Sequence, residues 1–184
     1  MKHIISMALV FIFSIVLSGC STTNSIPYKA STDNVISIQQ TLQSQGKKVS
    51  VGSITAASDV VENPVCRLMG PVKVAPGKSL PEFIEEAFQE ELFMAQAYDP
   101  KAPTVISGQV EALDFSSISP AHWEITMNVS SNTSSGYTVS IKYPFKTSWD
   151  AYSACRNVAN AFGPAVQELL HEVVTHPQFV SLAN

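Results

Sequence analysis

The chain has 184 residues, of which 45% are hydrophobic and 14% are charged, and its net charge is −4 at pH 7. This length suits one domain that can bury a self-sufficient core. The pI near 5.5 and the lack of a run of Lys or Arg exclude the basic surface of a nucleic-acid-binding protein, or of one that holds anionic headgroups by charge. We therefore expect no nucleic-acid partner.

The first 19 residues have the pattern of a signal peptide. Lys2 and His3 form a short polar, basic start, and residues 4–17 are apolar apart from two serines. This apolar stretch is shorter than the ~20 residues with which a helix crosses a bilayer. The alternatives are an ordinary secretory leader followed by an incidental cysteine, and an N-terminal membrane helix.

The leader ends in Leu17-Ser18-Gly19-Cys20, which resembles the lipobox of bacterial lipoproteins. The resemblance implies cleavage before Cys20, lipidation of its thiol and acylation of the new amino terminus. Two or three acyl chains attach a protein stably to a membrane, whereas one is marginal. In the sorting rule of such lipoproteins, Asp after the cysteine retains the protein in the inner membrane. Ser21 therefore implies attachment to the outer membrane, on its periplasmic face.

Residues 20–47 are predicted to be a lipidated amino terminus followed by a flexible tether. Residues 21–33 are polar and rich in Ser and Thr, so they bury too little apolar surface to offset the entropy of ordering. Residues 35–45 have a little apolar content and could form a short helix. The folded domain is predicted to span residues 48–184.

Two cysteines, Cys66 and Cys155, remain once Cys20 carries lipid. In an oxidising compartment they are expected to form a disulfide. This bond would close a long loop, which is worth roughly 4–5 kcal/mol in loop-closure entropy. The alternatives are two separate buried thiols, or a pair kept reduced for redox work. Redox pairs usually lie close together, as in Cys-x-x-Cys, and these do not.

The rest of the sequence predicts an α+β domain with the order β-α-β-β-β-α. Strands are predicted at residues 48–54, 104–115, 122–130 and 137–145, and helices at residues 79–98 and 150–175. The first helix begins with the capping-box pair Ser79 and Glu82. A change of apolar parity near Leu113 indicates a bulge, and Pro144 indicates an edge strand or a strand end. We expect a mostly antiparallel four-stranded sheet with two helices packed on one face.

An aromatic-rich hairpin is the strongest candidate for a binding surface. One interpretation places its aromatic side chains in the core beneath the helices. The other makes them a groove for an acyl chain or a peptide, and the edge strand is a further candidate for a partner. The residues concerned are Trp123, Tyr137, Tyr143, Phe145 and Trp149.

No constellation of residues predicts catalysis, a metal or a cofactor. His171 and His176 are five positions apart, so they diverge by about 140° around a helix, whereas the zinc motif needs a spacing of four. The Pro76-Gly77-Lys78-Ser79 segment lacks the earlier glycine of a P-loop. The glutamates of the first helix are typical of a solvated face. We therefore expect a protein that is not an enzyme.

The order of elements behind a lipobox and a polar tether resembles a group of small periplasm-facing lipoproteins. The group includes the lipopolysaccharide-assembly lipoprotein, the auxiliary lipoproteins of envelope ABC transporters and the amino-terminal module of the Tol–Pal translocation protein. The resemblance implies an accessory or assembly module without catalysis. Its expected partners are the membrane, through the lipid, and an envelope protein. The alternative is a carrier of a lipid or another hydrophobic ligand.

Overall fold

A computed structural model describes residues 26–184. The predicted signal peptide, residues 1–19, and the predicted lipidation site at Cys20 lie outside the described residues. Within residues 26–184, no helix combines the length and the apolar composition that a membrane crossing requires.

The described residues form a mixed α+β fold with one four-stranded sheet and three α-helices. In chain order the elements are α1 (Thr32–Thr41), β1 (Ser50–Ala56), α2 (Leu80–Met94), β2 (Val105–Ser116), β3 (His122–Ser131), β4 (Ser134–Pro144) and α3 (Ala151–Thr175). Short 3-10 turns follow at Gln43–Gln45 and Phe179–Ala183.

The sheet has the strand order β1-β2-β3-β4, and it is mostly antiparallel, as the sequence predicts. Only β1 and β2 are parallel, and α2 provides the crossover connection that a parallel pair needs. The register shifts between Val110 and Ala112, which confirms the irregularity predicted in this strand. β4 lies at an edge and ends at Pro144, which has no N–H for a ladder.

The helices α2 and α3 cover one face of the sheet. On β3, Trp123 and Ile125 point into the core and are fully buried. The Trp123 Nε1–H donates to the carbonyl of Val158 on α3 at 2.9 Å. The two helices meet where the rings of Phe83 and Phe162 lie 5.6 Å apart.

The number and order of the helices differ from the prediction. The additional helix α1 makes the order α-β-α-β-β-β-α. The Ser31 side chain caps α1 by accepting from the Asn34 N–H, and Ile38 and Leu42 are fully buried. A ten-residue helix of such modest apolar content is stabilised by tertiary packing rather than by its own propensity. Periodicity within the segment does not reveal that packing.

The start of α2 confirms the predicted capping box. The Ser79 N–H donates to Glu82 Oε2 at 2.6 Å, and the Glu82 N–H donates to Ser79 Oγ at 3.4 Å. The bond from the Ser79 backbone lowers the pKa of Glu82. Local spacing alone therefore determines where α2 begins.

The hairpin between β3 and β4 depends on Gly136. Its φ is +76°, and a Cβ built there would lie 1.7 Å from the carbonyl oxygen of Val129. We expect Gly136→Ala to lower the free energy of unfolding by at least about 2 kcal/mol, because backbone strain and a clash act together. Gly77→Ala is the matched control, since Gly77 has φ +73° but open space around it. Urea unfolding that gives equal losses for both variants would contradict the clash.

Candidate functional site

The Cys66–Cys155 disulfide joins the loop before α2 to the first turns of α3. This confirms the predicted pairing, and both cysteines are fully buried. The loop is also closed by its own backbone, since the Cys66 N–H donates to the Gly70 carbonyl at 3.0 Å and the Val72 N–H to the Pro64 carbonyl at 2.9 Å. The residue that follows Cys66 therefore has a fixed position.

That residue is Arg67, whose guanidinium connects two further loops. Its Nε donates to Ser117 Oγ at 3.2 Å, and its Nη2 donates to the Ser117 carbonyl at 2.9 Å. In the loop after β4, Nη2 also donates to the Ser148 carbonyl and Nη1 to the Trp149 carbonyl, at 3.3 and 3.2 Å. The planar fork of arginine suits this role because its donors point in fixed directions.

A groove of about 550 Å³ lies between these two loops. Its lips carry Ile118, which is 71% exposed, and Trp149, which is fully exposed. The lining residues are Arg67, Ser117, Ile118, Ser119, Thr147, Ser148 and Trp149. We call this feature the Arg67 groove. Large exposed apolar side chains at the rim of a concave surface are typical of a binding site.

The charge of Arg67 is not neutralised by a carboxylate. All four of its hydrogen-bond acceptors are neutral oxygens, and no ion pair within residues 26–184 includes it. Its φ of +49° lies in the left-handed region, which costs a non-glycine residue of order 1 kcal/mol or more and is enriched at functional sites. The groove is therefore a positively charged site with apolar lips.

The five predicted groove residues do not form one groove. Trp123 and Tyr137 are buried in the core, where the Tyr137 hydroxyl donates to the Val173 carbonyl at 2.6 Å. Tyr143 and Phe145 are partly buried against the same core. These side chains are buried because only one face of the sheet is covered, and its apolar side chains point towards the helices on that face. Trp149 alone of the five lines the Arg67 groove.

Sequence reasoning missed Arg67, Ser117 and Ile118. The available signal was Ile118 itself, a single large apolar residue within the Ser/Pro-rich segment 116–120. The carbonyl groups that Arg67 binds leave no signal, because every residue has one.

The histidines and acidic residues do not form a metal site within residues 26–184. His171 Nδ1 lies 3.0 Å from Asn34 Oδ1, and the His176 ring stacks on Tyr137 with centroids 3.9 Å apart. Both imidazoles therefore have structural contacts, and they belong to different clusters.

A second polar cluster surrounds Glu91, which is fully buried on α2. Its Oε1 accepts hydrogen bonds from the Tyr28 hydroxyl at 2.6 Å, the Ser31 N–H at 3.1 Å and Asn34 Nδ2 at 3.1 Å. Its Oε2 is buried and has no partner among the described residues. Burial raises the pKa of Glu91, although the hydrogen bonds from Tyr28, Ser31 and Asn34 act in the opposite direction.

The described residues define a small mixed α+β domain with a disulfide-braced surface groove. No protein-family model matches the sequence, and no curated protein matches it. It is similar to the crystal structure of a Xanthomonas campestris protein of family DUF330, with 14% identity and a TM-score of 0.49 over 73% of this chain and 88% of that one. It is also similar to the crystal structure of an uncharacterized protein, with 9% identity and a TM-score of 0.40 over 82% of this chain and 97% of that one.

Replacing Arg67 tests whether its hydrogen bonds hold the two groove loops in place. Arg67→Lys keeps the charge but loses the fork, so we expect the free energy of unfolding to fall by about 1.5–3 kcal/mol, the range for hydrogen bonds to charged groups. Arg156→Lys is the matched control, since Arg156 is exposed and stacks over Tyr152. It should cost less than about 0.5 kcal/mol. Equal losses in urea unfolding would contradict the role given to Arg67.

Glu91 gives a pH-dependent prediction. Its pKa in the folded protein is raised above the ordinary value of 4.5. As the pH rises past 4.5, the unfolded chain releases this proton before the folded chain does, so folding stability falls. We therefore expect wild type to lose stability relative to Glu91→Gln as the pH rises from 4 to 7. Urea unfolding across this range measures the difference. A wild type that gains stability relative to Glu91→Gln over this range would contradict the prediction.

Proposed function

We propose that this protein is a lipid-anchored module on the periplasmic face of the outer membrane that docks an envelope protein without catalysis. The lipobox-like segment 17–20 supports the anchor, and the disulfide is in keeping with an oxidising compartment. The Arg67 groove is the surface proposed to dock the partner.

The exposure of Trp149 on the lip of the groove is the observation that carries this proposal. A fully exposed Trp leaves its large apolar surface in water. Burial of that surface by a partner would contribute favourable binding free energy. Trp and Arg are also the residue types most enriched at positions that dominate binding energy between proteins. Trp149 and Arg67 lie together in this groove.

The chemistry of the groove supports a particular kind of partner segment. Ile118 and Trp149 favour a bulky apolar side chain between them, and the unneutralised charge of Arg67 favours a nearby carboxylate. Its other lining side chains are hydroxyls of Ser and Thr, which bind by hydrogen bonds. The proposed ligand is therefore a loop or extended segment of an envelope protein that presents an apolar residue beside an acidic group.

A second candidate function, a carrier of a lipid or hydrophobic ligand, is supported by the size of the same groove. Its volume of about 550 Å³ lies within the range of ligand-binding clefts. Such a ligand would bind at the surface, because the space between sheet and helices is filled where Trp123 packs on Phe162 with centroids 4.9 Å apart.

In-cell photo-cross-linking tests the docking function. A photoreactive amino acid at Ile118 of the full-length protein should form a cross-link to one envelope protein. Adding Trp149→Ser should reduce that product by at least about tenfold, because Trp at such positions commonly contributes 2 kcal/mol or more. Phe93→Ser is the matched control, since it removes an aromatic side chain that is 67% exposed on α2, and it should leave the product unchanged.

The same experiment separates the two functions. A cross-link to lipid that is lost with Trp149→Ser would favour the carrier. No product at all, or equal losses with Trp149→Ser and Phe93→Ser, would contradict a docking role for the groove.

A further inference from the structure

Residues 26–31, here called the strap, lie across the two large helices. The Tyr28 ring packs edge-on against Phe83 of α2, with centroids 5.9 Å apart. Gln167 Nε2 on α3 donates to the Lys29 carbonyl at 2.6 Å. The strap is therefore bound to the domain, although the sequence places it within a flexible tether.

Glu91 is the main polar attachment of the strap. Two of the three donors to its Oε1, the Tyr28 hydroxyl and the Ser31 N–H, belong to the strap. A buried carboxyl group is costly unless hydrogen bonds compensate it. Without the strap, Glu91 would keep one donor, Asn34 Nδ2. Burial of Glu91 and docking of the strap therefore stabilise each other.

We propose that Glu91 is a latch that holds the strap-bearing surface of the domain against the membrane. This inference rests on the proposed lipidation of Cys20. Ile26 is six positions after Cys20 in the sequence, and six residues span at most about 20 Å when fully extended. With the strap docked, the partner of this surface is the lipid bilayer that carries the anchor.

When the strap is released from Glu91, the domain can move farther from the bilayer. The helix α1 stays docked, because Ile38 is fully buried and Asn34 Nδ2 also donates to the Gln167 carbonyl at 2.9 Å. The free segment then ends at Thr32, twelve residues from Cys20, and spans at most about 40 Å. Opening the strap therefore doubles the maximum distance between the bilayer and the domain.

The latch also limits the distance between the Arg67 groove and the membrane. Cys155 braces the groove loop near the start of α3, and Gln167 binds the strap twelve residues later. At 1.5 Å per residue these points are about 18 Å apart along the helix. Because one helix carries both, a docked strap holds the groove at a limited distance from the membrane, and an open strap lets it move outward.

Trypsin provides a direct test, because Lys29 is the first Lys or Arg after Cys20 and lies within the strap. The full-length lipidated protein would be placed on vesicles of phosphatidylethanolamine and phosphatidylglycerol and treated with trypsin. Cleavage after Lys29 releases a domain that begins at Ala30. Release should be at least about tenfold faster for Glu91→Ala than for wild type, because cleavage follows the population of the open strap.

Two comparison variants make the test specific to the latch. Glu91→Gln keeps an oxygen acceptor, so its release rate should stay within about threefold of wild type. Gln89→Ala removes an exposed polar side chain from the same helix and should match wild type. Tyr28→Ala alters the strap rather than the core, so it should also accelerate release, and it decides the result if Glu91→Ala fails to fold.

A distance measurement tests the membrane part of the inference. A donor dye at Ser140→Cys on exposed β4 and an acceptor dye in the vesicle lipids should show lower energy transfer for Tyr28→Ala than for wild type. Unchanged release rates in Glu91→Ala and Tyr28→Ala would overturn the latch. Faster release with unchanged energy transfer would overturn its control of distance. Failure of the protein to bind vesicles at all would instead refute the lipid anchor, and with it the membrane-facing surface. In that case, the rate of cleavage after Lys29 in solution would still decide whether Glu91 holds the strap.

Discussion

Burial of one side of α3 is the constraint on which the other features depend. Phe162 lies between Phe83 of α2 and Trp123 of β3, with ring centroids 5.6 and 4.9 Å away, so a single side chain joins both helices to the sheet. Each such buried side chain contributes roughly 1.5–3 kcal/mol. The groove and the strap are attached to this helix at Cys155 and Gln167. Their separation is therefore set by one continuous helix, which contains Pro164 between the two points, rather than by loops.

Features that depend on local spacing could be predicted from the sequence. The strand predicted at residues 122–130 matches β3, and the spacing of Ser79 and Glu82 located the start of α2. The disulfide followed from the pairing of the two cysteines that remain in the expected oxidising compartment. Each of these inferences uses residues whose type or interval carries the information by itself.

The groove and the buried carboxyl group could not be predicted, because their partners are distant in sequence and chemically ordinary. Arg67 binds backbone carbonyls of Ser117 and Trp149, 50 and 82 positions away. Glu91 lies among several glutamates that are typical of a solvated face, yet it is buried by partners about 60 positions earlier. The small helix α1 was underestimated for the same reason, since its stability comes from the surface it covers.

The covalent bond next to the groove makes the position of Arg67 depend on the redox state of two cysteines. Cys66 precedes Arg67 directly, so the arginine fork is positioned by a link that forms only in an oxidising environment. A copy that folds in a reducing compartment lacks that link, and its loop at residues 64–72 is held to α3 by weaker contacts alone. Reduction of this one bond therefore loosens both the position of Arg67 and the connection between its loop and α3.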